Sequence, residues 1–105
     1  MPGVQRLAII VSEAGPRLAT ALTLATAAAA LGRDVAMLFD GASVAALAAA
    51  DERLTMALDL GVRVVACQTG LAEVGIAATA LPVAVTTGGM VSFLAAAGDA
   101  QIVLA

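Results

Sequence analysis

The stretch at residues 61–75, GVRVVACQTGLAEVG, decides the fold. Its residues 62–66 form an apolar, β-branched run interrupted only by Arg63, the signature of a strand buried on both faces. Cys67 follows at once, residues 69–74 read as a short helix, and Gly75 ends it. A buried strand that runs straight into a helix is one βα unit of a parallel sheet, so neighbouring units are expected on both sides of it.

Working outward, the same alternation recurs. Residues 7–11 (LAIIV) are a second buried strand, residues 12–15 its loop, and Pro16 suits the first turn of a helix running to Leu31 and stopped by Gly32. Residues 35–39 are a strand closed by Asp40-Gly41, residues 42–50 are helical, and Asp51 caps a continuation with Leu54, Ala57 and Leu58 as its apolar stripe. Towards the C-terminus, residues 83–86 read as a fourth strand, Gly88-Gly89 as a turn, residues 90–97 as a helix and residues 102–104 as a fifth strand. The expectation is one domain over residues 1–105, a three-layer α/β/α arrangement on a five-stranded parallel sheet with right-handed crossovers. Met37, Met56 and Met90 are expected in its core.

The first helix carries no charge from Leu18 to Gly32. Leu18, Leu22, Ala25 and Ala29 fit one buried stripe, but Leu24, Ala28 and Leu31 make a second apolar face. A monomer's surface helix normally shows a charged face, so a homo-oligomer is expected.

Composition removes several function classes. Five arginines, no lysine and eight acidic residues give a formal net charge of −3, with neither the basic stripe nor the stacking aromatics that direct nucleic-acid binding needs. A single cysteine and no histidine leave neither a disulfide framework nor a Cys/His metal site, so no metal and no cofactor are expected. The start of the chain reads as no signal peptide, and a reducing cytoplasm is the expected compartment. Residues 74–98 carry no charge, yet Pro82 and Gly88-Gly89 interrupt them, so no membrane span is expected.

Sites on open parallel sheets lie beyond the carboxyl ends of the strands. Those ends supply Ser12, Glu13, Asp40, Gln68, Thr69, Thr87, Gly88 and Gly89 as candidate ligand-binding residues around Cys67, the candidate reactive residue. Asp40 is expected to cap the second helix, Glu13 to be a solvated loop acid, and Gly88-Gly89 to make the turn, with an anion cradled on its backbone N–H groups as the alternative. Cys67 precedes a helix N-terminus, whose partial positive charge suits an anionic sulfur. No arginine follows to hold a phosphate, and no histidine exists to serve as base. Chemistry that needs only a nucleophilic sulfur remains: thiol exchange, or carriage of sulfane sulfur.

These segments together resemble the DsrE/DsrF/TusD-like family. The resemblance rests on GVRVVACQTGLAEVG, on LPVAVTTGGMVSFLAAAG at residues 81–98 and on AQIVLA at residues 100–105, with LAIIVSEA and GRDVAMLFDG as the first two strands. Its most specific element is Cys67 at the third strand's end with Gly75 eight residues on. The resemblance implies strand order 4-3-2-1-5 where the general rule for such sheets suggests 2-1-3-4-5. It also implies a trimer or hexamer, with Cys67 receiving sulfur from a donor protein and passing it to an acceptor. Relay members often place basic residues after the cysteine; here the first charge is Glu73. The alternative reading is an oligomeric module that holds a small anionic ligand or nucleotide at the strand ends.

Overall fold

The computed structural model describes residues 5–49 and 51–105. The expected N-terminal segment before Gln5, and Ala50 as the end of the second helix, lie outside those residues. The strands are β1 (Arg6–Val11), β2 (Asp34–Phe39), β3 (Arg63–Cys67), β4 (Thr86–Gly88) and β5 (Gln101–Leu104). The helices are α1 (Pro16–Ala30), α2 (Ala45–Ala48), α3 (Glu52–Asp59), α4 (Gln68–Val74) and α5 (Met90–Ala97). All strand pairs are parallel and the order is β4-β3-β2-β1-β5. The order implied by the family resemblance is therefore the one found, and the 2-1-3-4-5 default is not.

That order fixes where the helices lie. From β1 to β4 the chain steps one way across the sheet, so right-handed crossovers put α1 to α4 on one face. The step from β4 to β5 runs back across the whole sheet, which puts α5 on the other. Leu22 and Ala25 of α1, Leu47 of α2, Leu54 and Ala57 of α3 and Leu71 of α4 pack on Ile9, Val11, Met37, Phe39 and Val64. Across the sheet, Phe93 and Ala97 of α5 pack on Ala8, Ile10, Ala36 and Leu38.

Several boundaries differ from expectation for local reasons. The fourth strand begins at Thr86, because Pro82 opens a turn closed by Val85 N–H on its carbonyl (3.0 Å), leaving Val83 fully exposed. Gly88 accordingly belongs to the strand and not to a turn. The second helix is a 3-10 turn at Gly41–Val44 followed by the single turn of α2. Asp51 does cap the continuation, its carboxylate accepting from Arg53 N–H at 2.8 Å. A 3-10 turn at Ala78–Ala80 was not expected. Ala28 of α1 is buried, since it extends the Ala21–Ala25 row; only Leu24 and Leu31 of that supposed outer face are exposed. Met37 is buried and Met90 half-buried, but Met56 lies off the α3 stripe and is exposed.

Two features hold the 3-10 turn and α4 at the sheet's carboxyl end. Ser43 is fully buried, its hydroxyl 2.9 Å from the Val11 carbonyl and 2.8 Å from that of Asp40, tying the turn to the ends of β1 and β2. Gly70 of α4 lies against Gly41: a methyl group on Gly70 would sit 2.5 Å from the Gly41 carbonyl oxygen. Gly41 itself has φ +56, a conformation that glycine tolerates and most residues do not.

Gly70→Ala tests this contact. Alanine is favoured over glycine in a helix by about 1 kcal/mol, whereas an extra methyl in a closed contact costs about 1–3 kcal/mol. The expected result in urea unfolding is a net loss of up to about 2 kcal/mol; a more stable variant would show that the two backbones separate freely.

Candidate functional site

Cys67 ends β3 and is the N-cap of α4, with extended backbone (φ −65, ψ 121). Its sulfur accepts the N–H of Gly70 at 3.4 Å, which satisfies one of the free donors of the first turn. The side chain is 8% exposed, packed with Leu71 against the core yet standing at the strand's end. At the other end of α4, Gly75 adopts φ +72; its N–H bonds the Ala72 carbonyl (3.3 Å), and Ile76 N–H bonds that of Leu71 (3.0 Å). This paired closure needs a left-handed residue. The Cys67-to-Gly75 spacing is thus the length of one two-turn helix, from N-cap to C-terminal glycine.

Neighbouring strands bring some of the expected site residues to the sulfur. Gly88 pairs with Cys67 and Thr87 with Ala66. Phe39 pairs with Ala66, so Asp40 follows it on the opposite flank of Cys67. Adjacent strands lie about 4.8 Å apart, so Cys67 has Gly88 on one side and Asp40 on the other. Gln68 and Thr69 occupy the first turn of α4 and are exposed.

Other expected residues are arranged differently. Asp40 stands at the N-cap of the 3-10 turn, but its carboxylate makes no capping bond; its main-chain carbonyl receives Ser43 instead. Ser12 is two strands from Cys67, about 10 Å at normal strand spacing. Ser12 and exposed Glu13 line a separate hollow with Gly15, Pro16, Arg17 and Ala105. Gly89 does not offer a free N–H to an anion: that N–H donates to Ser92 Oγ (3.2 Å), while the Ser92 hydroxyl faces the Gly89 carbonyl (3.1 Å). Glu73 is exposed and six residues beyond Cys67, about 9 Å along a helix axis. Solvent screens most of its effect at that range.

Gly70 is the residue that sequence reasoning overlooked. It supplies the N–H to the sulfur, and its missing side chain admits Gly41. A signal was available, since a glycine inside a seven-residue helix weakens it unless a close approach requires it.

The chain matches the DsrE/DsrF-like family over residues 5–105. Its fold is similar to that of the YchN protein from E. coli, with a TM-score of 0.80 and 22% identity over 96% of this chain and 98% of that one. It is also similar to BT1422, a conserved protein of unknown function from Bacteroides thetaiotaomicron, with a TM-score of 0.76 and 19% identity over 96% and 95% of the two chains. No curated protein matches it significantly.

The N-cap geometry makes an ordering of variants at position 67. Serine is among the best N-cap residues and loss of a cap to alanine costs about 1 kcal/mol. Cys67→Ser should unfold within about 1 kcal/mol of the parent, and Cys67→Ala should be the less stable of the two variants. Thermal or urea melts decide it; a serine variant weaker than the alanine one would mean that apolar packing, not capping, dominates at this position.

Proposed function

We propose that this chain, which belongs to the DsrE/DsrF-like family, is a sulfur carrier that holds sulfane sulfur as a persulfide on Cys67. The observation that carries the reading is the position of that sulfur: at the strand-end rim, on the N-cap of α4, receiving a backbone N–H. Such a donor supports negative charge on sulfur.

In the proposed reaction the Cys67 thiolate attacks the outer sulfur of a donor persulfide. The donor's S–S bond breaks as the Cys67 S–S bond forms, and the donor leaves as a thiolate, so there is no net oxidation. An acceptor thiolate, or sulfite, then attacks the outer sulfur and restores the Cys67 thiolate. Neither step requires a histidine or a metal. Asp40, Gln68, Thr69 and Gly88 are the residues this reading places around the transferred sulfur.

The working form in this proposal is a homo-oligomer, a trimer or hexamer in the cytoplasm. It is supported by large apolar side chains left exposed on single chains, among them Leu31, Val91 and Leu104, each more than three-quarters exposed.

Incubation with inorganic polysulfide and intact-mass analysis tests the carrier reading. The expected product is heavier by about 32 Da, one sulfur atom, and sensitive to reductant, as a persulfide is. It should be absent from Cys67→Ser. A Cys67 that alkylates readily but takes up no sulfur would overturn the reading.

Light scattering tests the assembly. The chain mass is 10.2 kDa, and a three- or sixfold multiple is expected at micromolar concentration. A monomer there would overturn the oligomer proposal without touching the cysteine chemistry.

A further inference from the structure

A cavity of about 350 Å³ lies on the α5 face of the sheet, between that helix and the β3–β4 edge. Its floor includes Ala36 of β2 and Val65 of β3, and its roof is formed by Phe93, Ala96 and Ala97 of α5. Leu58 and Gly61 close one end, and Thr87 and Gly88 the other. The hollow follows from the topology: one eight-residue helix covers a face that four helices cover on the other side. Alanine and glycine in much of the lining leave the space unfilled. Gly88 is constrained there as well, because a methyl on it would lie 3.2 Å from Val65 Cγ1 and 3.3 Å from Ser92 Oγ.

The charge of the lining selects the class of occupant. The one charged side chain in it is Arg63, whose guanidinium is already paired with Asp34 at 2.9 Å. The remaining side-chain polar groups are the hydroxyls of Thr86, Thr87 and Ser92; Thr86 donates to the Val64 carbonyl (3.4 Å) and Ser92 to that of Gly89 (3.1 Å), so these two can meet a ligand only as acceptors. A cation would find no carboxylate there, and an anion would have to compete for Arg63 with Asp34, which Arg63 shares with Arg6. An apolar body with one hydroxyl-type hydrogen-bonding group would match both the walls and the hydroxyls, and the volume falls in the range of small-molecule sites.

We propose that this cavity binds a small, uncharged, largely apolar molecule carrying one hydrogen-bonding group. The cavity adjoins the sulfur site at Gly88, which closes one end of it and pairs with Cys67, but Cys67 itself does not line it, so the proposal does not rest on the sulfur-carrier reading.

Titration with 2-naphthol, neutral at pH 7, against its anionic counterpart 2-naphthoate tests it on the full-length protein. The expected result is saturable one-to-one binding of 2-naphthol, with NMR shifts at Ala36, Val65 and Ala97, and binding of 2-naphthoate at least tenfold weaker. Ala96→Phe, at an exposed helix position that roofs the cavity, should weaken 2-naphthol at least tenfold. If that variant disturbs α5, Ala84→Leu on the loop wall should do the same. Cys67→Ser should bind 2-naphthol as the parent does, which separates this site from the sulfur chemistry.

Absence of saturable binding, binding indifferent to both filling variants, or tighter binding of the naphthoate would each overturn the proposal. So would loss of oligomer mass in Ala96→Phe with no naphthol binding by the parent, which would make the cavity a seat for a second copy of the chain.

Discussion

The close approach of Gly70 to Gly41 is the constraint on which the site depends. A backbone carbonyl occupies the space where any other residue at position 70 would carry its Cβ. With the methyl absent, α4 lies directly against the turn that follows β2, and that turn is in turn held to β1 and β2 by the buried Ser43 hydroxyl. The same Gly70 donates its N–H to Cys67. Docking of the helix and placement of the donor at the sulfur are therefore one event. A small domain with few charges and almost no aromatics secures the rim around Cys67 through backbone contact instead of large side chains.

The second organising fact is the reversal of the lateral step across the sheet after β4. Four strands laid down in one sense bring four helices to one face, where Leu22, Leu47, Leu54 and Leu71 close a continuous core. The return to β5 leaves α5 alone on the other face, with Phe93 as its one large buried side chain. Packing is complete on the first face and partial on the second. The cavity beside α5 and the exposed Val91, Ile102 and Leu104 are consequences of the same imbalance. Apolar surface of this kind is normally covered in solution, by a ligand or by another chain.

Much of the architecture was legible because the signals are local. The runs at residues 7–11 and 35–39 are continuously apolar, the first also β-branched, as inner strands are, and both are buried. Cys67 between a strand and a helix marked the rim, and Gly75 marked the end of that helix. Misreadings arose where a tertiary partner overrode a local preference. Residues 83–85 have strand composition, yet Pro82 commits them to a turn, and β4 finds its partner only from Thr86, opposite Val65. Asp40 has a capping side chain, but the buried Ser43 hydroxyl takes its main-chain carbonyl and the carboxylate does no capping. Gly88-Gly89 resembles an anion-binding turn; strand pairing takes the first residue and Ser92 takes the N–H of the second.

The sequence by itself determined the class of fold, the number of strands, the solitary thiol and its place at a strand end. Each of these follows from the order and polarity of residues close together along the chain. Which rim residues share the site depends on lateral strand order, which no local pattern gives, which the family resemblance implied and which the tertiary structure shows. Lateral strand order puts Gly88 and Asp40 beside Cys67 and leaves Ser12 and Glu13 two strands away, in a hollow of their own. Only the tertiary structure decided that Gly70 must be glycine, because its neighbour Gly41 is distant in sequence and adjacent only after the sheet has formed. The physical reason is common to both: hydrophobic period and helix capping act over a few residues, whereas lateral register and backbone contact are properties of the assembled sheet.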